Sequence, residues 1–479
     1  MPKQNQGMGD DLLSVLLEAT FRAIWLAARM FSMLACGLAR QPVLALVVLA
    51  GLAAWRVDGW PLVAALLVVL GVVLVGWRLA WPGSYQAHAA HRVSWTWRAP
   101  LYRMYWSHVA SRCGLVAWSS TPGADGERGS RQVASLKRLR VTPAGLERLL
   151  VGVPVGLTAD DVAARADAIG EAFGARTTRV VRDRPGRVWV ELVRRDSLAK
   201  VVSPPTVQET TLGGVPVGLC DDGSAWRMRV SGTHTLIAGA TGSGKGSVLW
   251  SLLHGLAPGI RAGWVQVWAL DPKGGMELGL GRGCFARFEG GDPEAMCALL
   301  EEAVRVKDRR ARHLAATGQR VHRPSPLDPH LVIVVDELAT LTAFAERAVT
   351  RRIDQSLGLL LTQGRAVGIS VVSAVQDPGK DVVTWRDLFP TRIALRLDNP
   401  IQVDMVLGDG ARDMGARADE VSELTPGVGF VRVEGTRAIR RVRASYLTDE
   451  DVQRLASGIP VMTPLAGTDA PGEGEGVAA

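Results

Sequence analysis

The segment that most constrains what this chain can fold into is Thr235-Leu-Ile-Ala-Gly239-Ala-Thr-Gly242-Ser-Gly244-Lys245-Gly-Ser247. A short apolar run leads into a glycine-rich loop, and a helix-forming stretch follows it. This is the GxxxxGK pattern of a phosphate-binding loop, in the strand-to-helix context that gives the pattern meaning. Backbone N–H groups of such a loop, with the N-terminus of the next helix, converge on phosphate oxygens. Glycines let the chain approach, and the lysine reaches the β- and γ-phosphates. Gly239, Ala240, Thr241, Gly242, Ser243, Gly244, Lys245, Gly246 and Ser247 are therefore the candidate nucleotide-binding residues, and ATP with Mg²⁺ is the expected cofactor pair. One position departs from the pattern. The residue after the lysine, ordinarily a Ser or Thr that ligates Mg²⁺, is Gly246. Either Ser247 supplies the hydroxyl in its place or a water takes that coordination position.

Leu331-Val-Ile-Val-Val-Asp336-Glu337 is an apolar strand ending in two acids, about 90 residues beyond the loop. In that setting Asp336 is expected to hold Mg²⁺ through its water shell and Glu337 to polarise the attacking water. Gln363-Gly-Arg365-Ala-Val-Gly368 then leads into a third apolar strand that ends at Gln376, suitably placed to sense the γ-phosphate. Arg365, in the turn before that strand, has two readings: a finger presented to a neighbouring subunit, or a cation closing the preceding helix. Strands are expected at His234–Ala238, Val265–Leu270, Leu331–Val335, Ile369–Ala374 and Arg392–Leu397. Helices fit between them, notably Glu294–Ala316 and Ala345–Gln363. This alternation implies an α/β domain with a parallel-rich central sheet and ligands at the strand C-termini.

The N-terminal part has another character. Pro42–Trp55 and Trp60–Trp77 are uncharged apolar runs separated by Arg56-Val-Asp-Gly59. The second is nearly the length of about 20 residues needed to cross a bilayer, so the pair is expected to form a membrane hairpin. Its depth in the chain, its doubling and the lack of a small-residue cleavage pattern argue against a signal peptide. Arg22, Arg29 and Arg40 precede the hairpin and Arg78, Arg92, Arg98 and Arg103 follow it, which places both flanks in the cytoplasm. Residues 1–40 hold apolar positions at roughly helical spacing and suit an amphipathic helix on the membrane or against the hairpin.

Composition bounds the rest. A net charge of +8 and a pI near 9.6 favour a polyanion or an anionic membrane face as partner. The five cysteines (Cys36, Cys113, Cys220, Cys284, Cys297) include no CxxC pair, which excludes a zinc site or disulfide framework and suits buried thiols in a reducing compartment. Residues 81–132 form a juxtamembrane segment rich in Trp and Arg with a polar, glycine-rich linker at Ser119–Arg131. Residues 133–200 make a small α+β module: a strand at Val133–Leu139, a helix from Thr158 to Phe173, and a hairpin of Thr178–Val181 and Val188–Leu192 around Asp183-Arg-Pro-Gly186. Residues 201–457 are the nucleotide-binding domain, and 458–479 are expected to be a disordered tail.

Five blocks, in order, resemble the motor domain of the FtsK/SpoIIIE family, within the HerA–FtsK branch of RecA-like ATPases. They are the GATGSGK loop, Leu270-Asp-Pro-Lys273 with Glu277-Leu278, the Val-Val-Asp336-Glu337 strand, the Gly364-Arg-Ala-Val-Gly368 block with Gln376, and Phe389-Pro-Thr-Arg392-Ile-Ala-Leu-Arg396. Gly427-Val-Gly429 and Tyr446-Leu-Thr-Asp449-Glu450 match the end of that domain. The resemblance covers about residues 201–455, with the module before it similar to the family's α subdomain. It implies a hexameric ring that pulls double-stranded DNA through its channel using ATP. Nothing after Leu455 has the length of the winged-helix module that gives some members sequence-directed loading, so orientation on DNA is expected to come from elsewhere. The layout most resembles actinobacterial transfer proteins that move plasmid or integrative-element DNA between cells. A chromosome-segregation motor and a type VII-like polypeptide secretion ATPase are the alternatives. Lys380, Arg412 and Arg417 are loop cations that could line a pore, with solvated surface charge the commoner role for such residues.

Overall fold

A computed structural model of the chain describes residues 60–85, 89, 91–121, 128–142, 145–194, 196–343, 346–379, 385–433, 435 and 439–465. The chain divides into two compact units, 1–143 with 154–156, and 144–153 with 157–479.

In the first unit, α1 (Trp60–Ala80) is one 21-residue helix with no acid in its first turn and Arg78 in its last. Val68, Val72, Val73, Val75 and Leu79 along it are exposed. Several other side chains of α1 lie outside the description, and among the described residues no helix is long and apolar enough to cross a membrane. Residues 1–59, with the amphipathic segment and the hairpin's first arm, lie outside the described residues. Helix α2 (His91–Arg112) buries Tyr102 and Trp106, and the Trp106 indole N–H donates to the Ala134 carbonyl at 2.8 Å. The expected linker Ser119–Arg131 is a correction: β1 (Val116–Thr121) and β2 (Arg128–Val133) flank residues 122–127 and pair antiparallel in register Val116↔Val133 to Thr121↔Arg128. The ladder gives a polar stretch partners for its backbone groups. The expected strand at Val133–Leu139 is divided at Ala134, and β3 runs from Ser135 to Val141.

The second unit opens with β4 (Glu147–Gly152), α3 (Ala159–Ala163), α4 (Ala166–Phe173), β5 (Thr177–Arg184) and β6 (Arg187–Val193). The Thr158 hydroxyl caps α3 in a reciprocal box with Asp161. The single expected helix is broken at Arg165, whose φ/ψ of −105°/5° leaves the helical region. β6 pairs with both β4 and β5, the latter through the expected turn, where Gly186 has φ 71°. Half-buried Arg179 on β5 pairs with Glu191 on β6 and, at 2.6 Å, with Asp221, tying this small sheet to the large one.

The large sheet takes β7 (Val215–Cys220), β8 (Ala225–Met228), β9 (Thr235–Ala238), β10 (Val265–Asp271), β11 (Arg287–Gly290), β12 (His330–Val335), β13 (Ile369–Val375), β14 (Thr391–Leu395), β15 (Val428–Arg432) and β16 (Ile439–Ala444) in the order 11-10-12-13-9-14-15-16-7-8. It is parallel from β11 to β14 and antiparallel from there on. Its helices are α5 (Lys245–Arg261), α6 (Pro293–Ala316), α7 (Leu338–Ala343), α8 (Arg347–Gln363), α9 (Pro400–Leu407) and α10 (Asp449–Ser457). Alternation along each central strand builds two cores. Leu331, Ile333 and Val335 of β12 face α6 and α8, whereas Val332 and Val334 face α5 and α10. A strand covered on both faces reads as an unbroken apolar run, as β12 does. Residues 458–465 are a second correction, since the Gln266 amide donates to the Thr463 carbonyl at 2.8 Å and accepts from Leu465 N–H at 3.1 Å. Leu465 is buried in the core, and residues 466–479 lie outside the described residues.

Candidate functional site

Strands β10, β12, β13 and β9 are parallel neighbours, so the segments that follow them meet along one edge of the sheet. The loop after β9 is held by its backbone. Gly239 N–H donates to the Val375 carbonyl at 3.0 Å, Ala240 N–H to Arg396 at 2.8 Å, and Ser243 C=O accepts from Gly427 N–H at 2.8 Å. Gly244 sits at φ 94°, and a Cβ there would stand 2.2 Å from the Gly427 nitrogen, so no other residue fits. Thr241 and Gly242 are left exposed at the tip, in front of the N-terminus of α5.

Lys245 begins α5. Its buried Nζ donates to the Gly239 and Ala240 carbonyls at 2.8 and 3.3 Å, folding the side chain back over its own loop. Burial pulls its pKa below the usual lysine range, an effect that Glu337 opposes and Lys273 reinforces. Both acids after β12 are buried. Glu337 Oε1 accepts from the Gln376 backbone N–H at 3.1 Å, and the Gln376 side-chain oxygen accepts from the Thr241 hydroxyl at 3.3 Å. The loop, Glu337 and Gln376 are thus brought together. Asp336 Oδ2 and Glu337 Oε2 have no hydrogen-bond partner, and each lies 3.5 Å from the Lys273 ammonium. Burial raises the Asp336 pKa, with Asp271 and Glu337 adding to it and Lys273 opposing. Buried carboxylate oxygens with no hydrogen bond ask for a cation or its water shell. The residues therefore fit Mg²⁺ beside a bound triphosphate. Among the described residues no three His, Cys, Asp or Glu side chains could hold a metal alone, so phosphate oxygens and water would have to complete its shell.

Three residues of this edge had no assigned role in the sequence reading. Asp271, fully buried at the end of β10, accepts from the backbone N–H groups of Lys273, Glu277 and Leu278 at 3.1, 3.0 and 2.9 Å. It pins the turn that carries Glu277, whose Oε1 falls 1.8 Å from where a Cβ on Gly246 would be. Arg396, at the end of the β14 segment, donates to the Thr241 carbonyl at 2.8 Å and pairs with Asp398. The Asp-Pro-Lys and Pro-Thr-Arg-Ile-Ala blocks were the available signals for these positions.

Other expected residues are elsewhere. Arg365 precedes β13 and its Nε donates to the Gly232 carbonyl, just ahead of β9, at 2.8 Å. Both lie at the strand N-termini, the edge opposite the loop. Ser247 is the third residue of α5, turned from Gly246 by about 100° around the helix. Arg412 pairs with Asp419 and Glu420, and Arg417 with Asp167 and Glu420, so both loop cations are engaged in ion pairs. Lys380 lies outside the described residues. Cys220, Cys284 and Cys297 are buried as expected, with the thiols of Cys284 and Cys297 pushed up to about 12 and about 11 by burial.

Comparison with known proteins gives this edge its family. The FtsK/SpoIIIE family profile matches residues 214–325. The transfer protein TraSA of Streptomyces ambofaciens is 31% identical over 371 residues, covering 68% of this chain and 86% of TraSA. The chain belongs to the FtsK/SpoIIIE family. Other relatives include the DNA translocase FtsK of Bacillus cereus, 25% identical over 329 residues, 63% of this chain and 40% of that protein. The chain thus spans well under half the length of such FtsK relatives. Among solved structures, the pCW3 conjugation coupling protein TcpA, in monomer form with ATPγS, is 19% identical with a TM-score of 0.48 and covers 74% of this chain and 98% of its own. As in an FtsK/SpoIIIE P-loop ATPase, the matched stretch runs through the phosphate loop, β10 and the Asp271 turn.

Proposed function

We propose that this chain is a membrane-anchored, ATP-driven translocase of double-stranded DNA, working as a homo-hexameric ring in the transfer of plasmid or integrative-element DNA between cells. The observation that carries the reading is the convergence of Lys245, Asp336, Glu337 and Gln376 on one sheet edge in a chain 31% identical to a transfer protein over 86% of its length. In the cycle, the loop N–H groups and Lys245 bind the phosphates and Asp336 holds the metal side. Glu337 takes a proton from the attacking water, and Gln376 links that acid to Thr241, so loss of the γ-phosphate is felt in the β12–β13 region. Mg²⁺, when bound, neutralises charge developing on the phosphate oxygens. The two uncharged apolar runs Pro42–Trp55 and Trp60–Trp77, with arginines on both flanks, are the sequence support for anchoring in the cell membrane with the ATPase on the cytoplasmic side. The basic charge supports a polyanionic cargo gripped through phosphates.

The test is ATP turnover by the full chain in detergent micelles with no polymer, single-stranded DNA or duplex DNA. Duplex should stimulate most, and the stimulation should fade as salt rises. An assembled, ATP-binding protein indifferent to both DNAs would defeat the proposal and favour polypeptide secretion. Equal stimulation by duplex with no transfer defect on gene disruption would favour chromosome segregation.

A further inference from the structure

Position 246 lies beside the nucleotide lysine, where P-loops carry the hydroxyl that ligates Mg²⁺, and here it is glycine. The volume that a side chain at Gly246 would fill is already taken. A Cβ built there would meet Glu277 Oε1 at 1.8 Å and Glu277 Cδ at 2.8 Å, closer than non-bonded atoms approach. We propose that the Glu277 carboxylate replaces the missing P-loop hydroxyl as the protein ligand of the nucleotide's divalent cation, opposite Asp336.

Two further observations bear on this assignment. Glu277 does not wander into place: the buried Asp271 carboxylate holds the backbone N–H groups of Glu277 and Leu278 at 3.0 and 2.9 Å, fixing the turn that presents it. Across the site, Asp336 is 3% exposed and its Oδ2 lacks a hydrogen bond, with the Lys273 ammonium 3.5 Å away. Two carboxylates with phosphate oxygens and water make a donor set that Mg²⁺ accepts. A carboxylate brings a full negative charge where the ordinary hydroxyl brings none, so this site should depend on the cation more steeply than a Ser- or Thr-bearing one.

The inference rests on the nucleotide-binding reading of the loop, and the experiment separates the two. Binding of a fluorescent ATP analogue to the full chain is titrated with Mg²⁺, without turnover, for wild type, Glu277→Gln, Glu277→Ala, Ser247→Ala and the double variant Gly246→Ser with Glu277→Ala. The expected result is a Mg²⁺ midpoint raised about tenfold in both Glu277 variants, which corresponds to about 1.4 kcal/mol. The double variant should return the midpoint towards wild type, because serine regains the hydroxyl once the carboxylate is gone. A wild-type midpoint in both Glu277 variants, or a shift in Ser247→Ala alone, overturns the assignment. If wild type binds no analogue at any Mg²⁺ concentration, the nucleotide reading itself fails. Thermal melts of each variant identify a misfolded protein, and the isosteric Glu277→Gln keeps the test valid if Glu277→Ala does not fold.

Discussion

Glu337 divides its carboxylate between two tasks. One oxygen accepts from the Gln376 N–H, and the other is buried with no hydrogen bond, facing the Lys273 ammonium. Glu337→Gln keeps an acceptor for the first task and removes the base needed for the second. The expected outcome is nucleotide affinity within about twofold of wild type and turnover lowered by about 100-fold or more, the usual loss on removing a general base. Rapid-mixing hydrolysis assays with saturating ATP check this, and near-normal turnover would remove Glu337 as the base. Lys245→Ala should instead abolish analogue binding itself, read in the same titration. These residues were legible in the sequence because their chemistry is carried by local spacing: a loop, a strand ending in acids, a strand ending in glutamine. Glu277, Asp271 and Arg396 were not, although their blocks stood out. Their roles arise only when β10, β14 and the loop lie side by side, bringing Glu277 to Gly246 and Arg396 to Thr241. No spacing rule encodes those approaches.

At the scale of elements, the parallel strands other than the short edge strand β11 were legible to within two residues, because strands buried on both faces are unbroken apolar runs between helix-length polar stretches. The antiparallel extension β15-β16-β7-β8 was not. Ile439-Arg-Arg-Val-Arg-Ala444 carries three arginines in six residues and reads as surface chain until Arg441 is seen pairing with Asp196 at 2.6 and 2.7 Å. Hidden polar ties also hold the opposite edge of the sheet. Arg310 of α6 is buried, donating to Asp328 at 2.9 and 2.6 Å and to the Val367 and Gly368 carbonyls at 3.0 and 3.1 Å. Arg310→Met fills the space but strands those acceptors, so chemical denaturation should show a loss of about 3–5 kcal/mol. The same edge should make the protein acid-sensitive. Burial, with Arg365 adjacent, holds His234 down to about 4, and burial, with Arg310, His322 and His234 nearby, holds His330 down to about 3. Both stay neutral in the fold while the unfolded chain takes up protons below about 6.5. Their contribution is therefore complete above pH 6.5 and is lost as pH falls towards 4 and 3, at up to about 1.4 kcal/mol per pH unit each. Thermal melts from pH 7 to pH 4.5 should fall on this slope. His330→Gln, which keeps a neutral donor near Nε2 for the Ser370 hydroxyl, and His234→Asn, which keeps a neutral acceptor near Nδ1 for the Val371 N–H, should flatten it, and an unchanged slope would show that other groups govern the acid limb.

For the whole molecule, the placement of Arg365 limits what it can do, through distance along the sheet. It lies before β13, bonded to Gly232 before β9, while the phosphate loop follows β9 at the other edge. Within one subunit its guanidinium cannot serve its own nucleotide. It can serve only a neighbour's, and only if copies stack edge to edge in a ring. The local alternative is also physical, since Arg365 braces the Gly232 carbonyl and stands close enough to His234 to depress its pKa. The two roles leave different traces in Arg365→Ala. A brace that is lost lowers the melting temperature but spares turnover per folded subunit. A trans arginine that is lost spares nucleotide affinity and lowers turnover by about 10³-fold or more, because the charge it would neutralise develops only in the transition state. Mixing then reads the assembly directly. When mutant subunits are doped into wild type at equal amounts, independent sites would keep half the activity. A ring in which each subunit completes its neighbour's site and the sites fire in turn should keep far less. Linear loss with mutant fraction, at unchanged stability, would deny Arg365 the trans role and leave the ring to be argued from other residues.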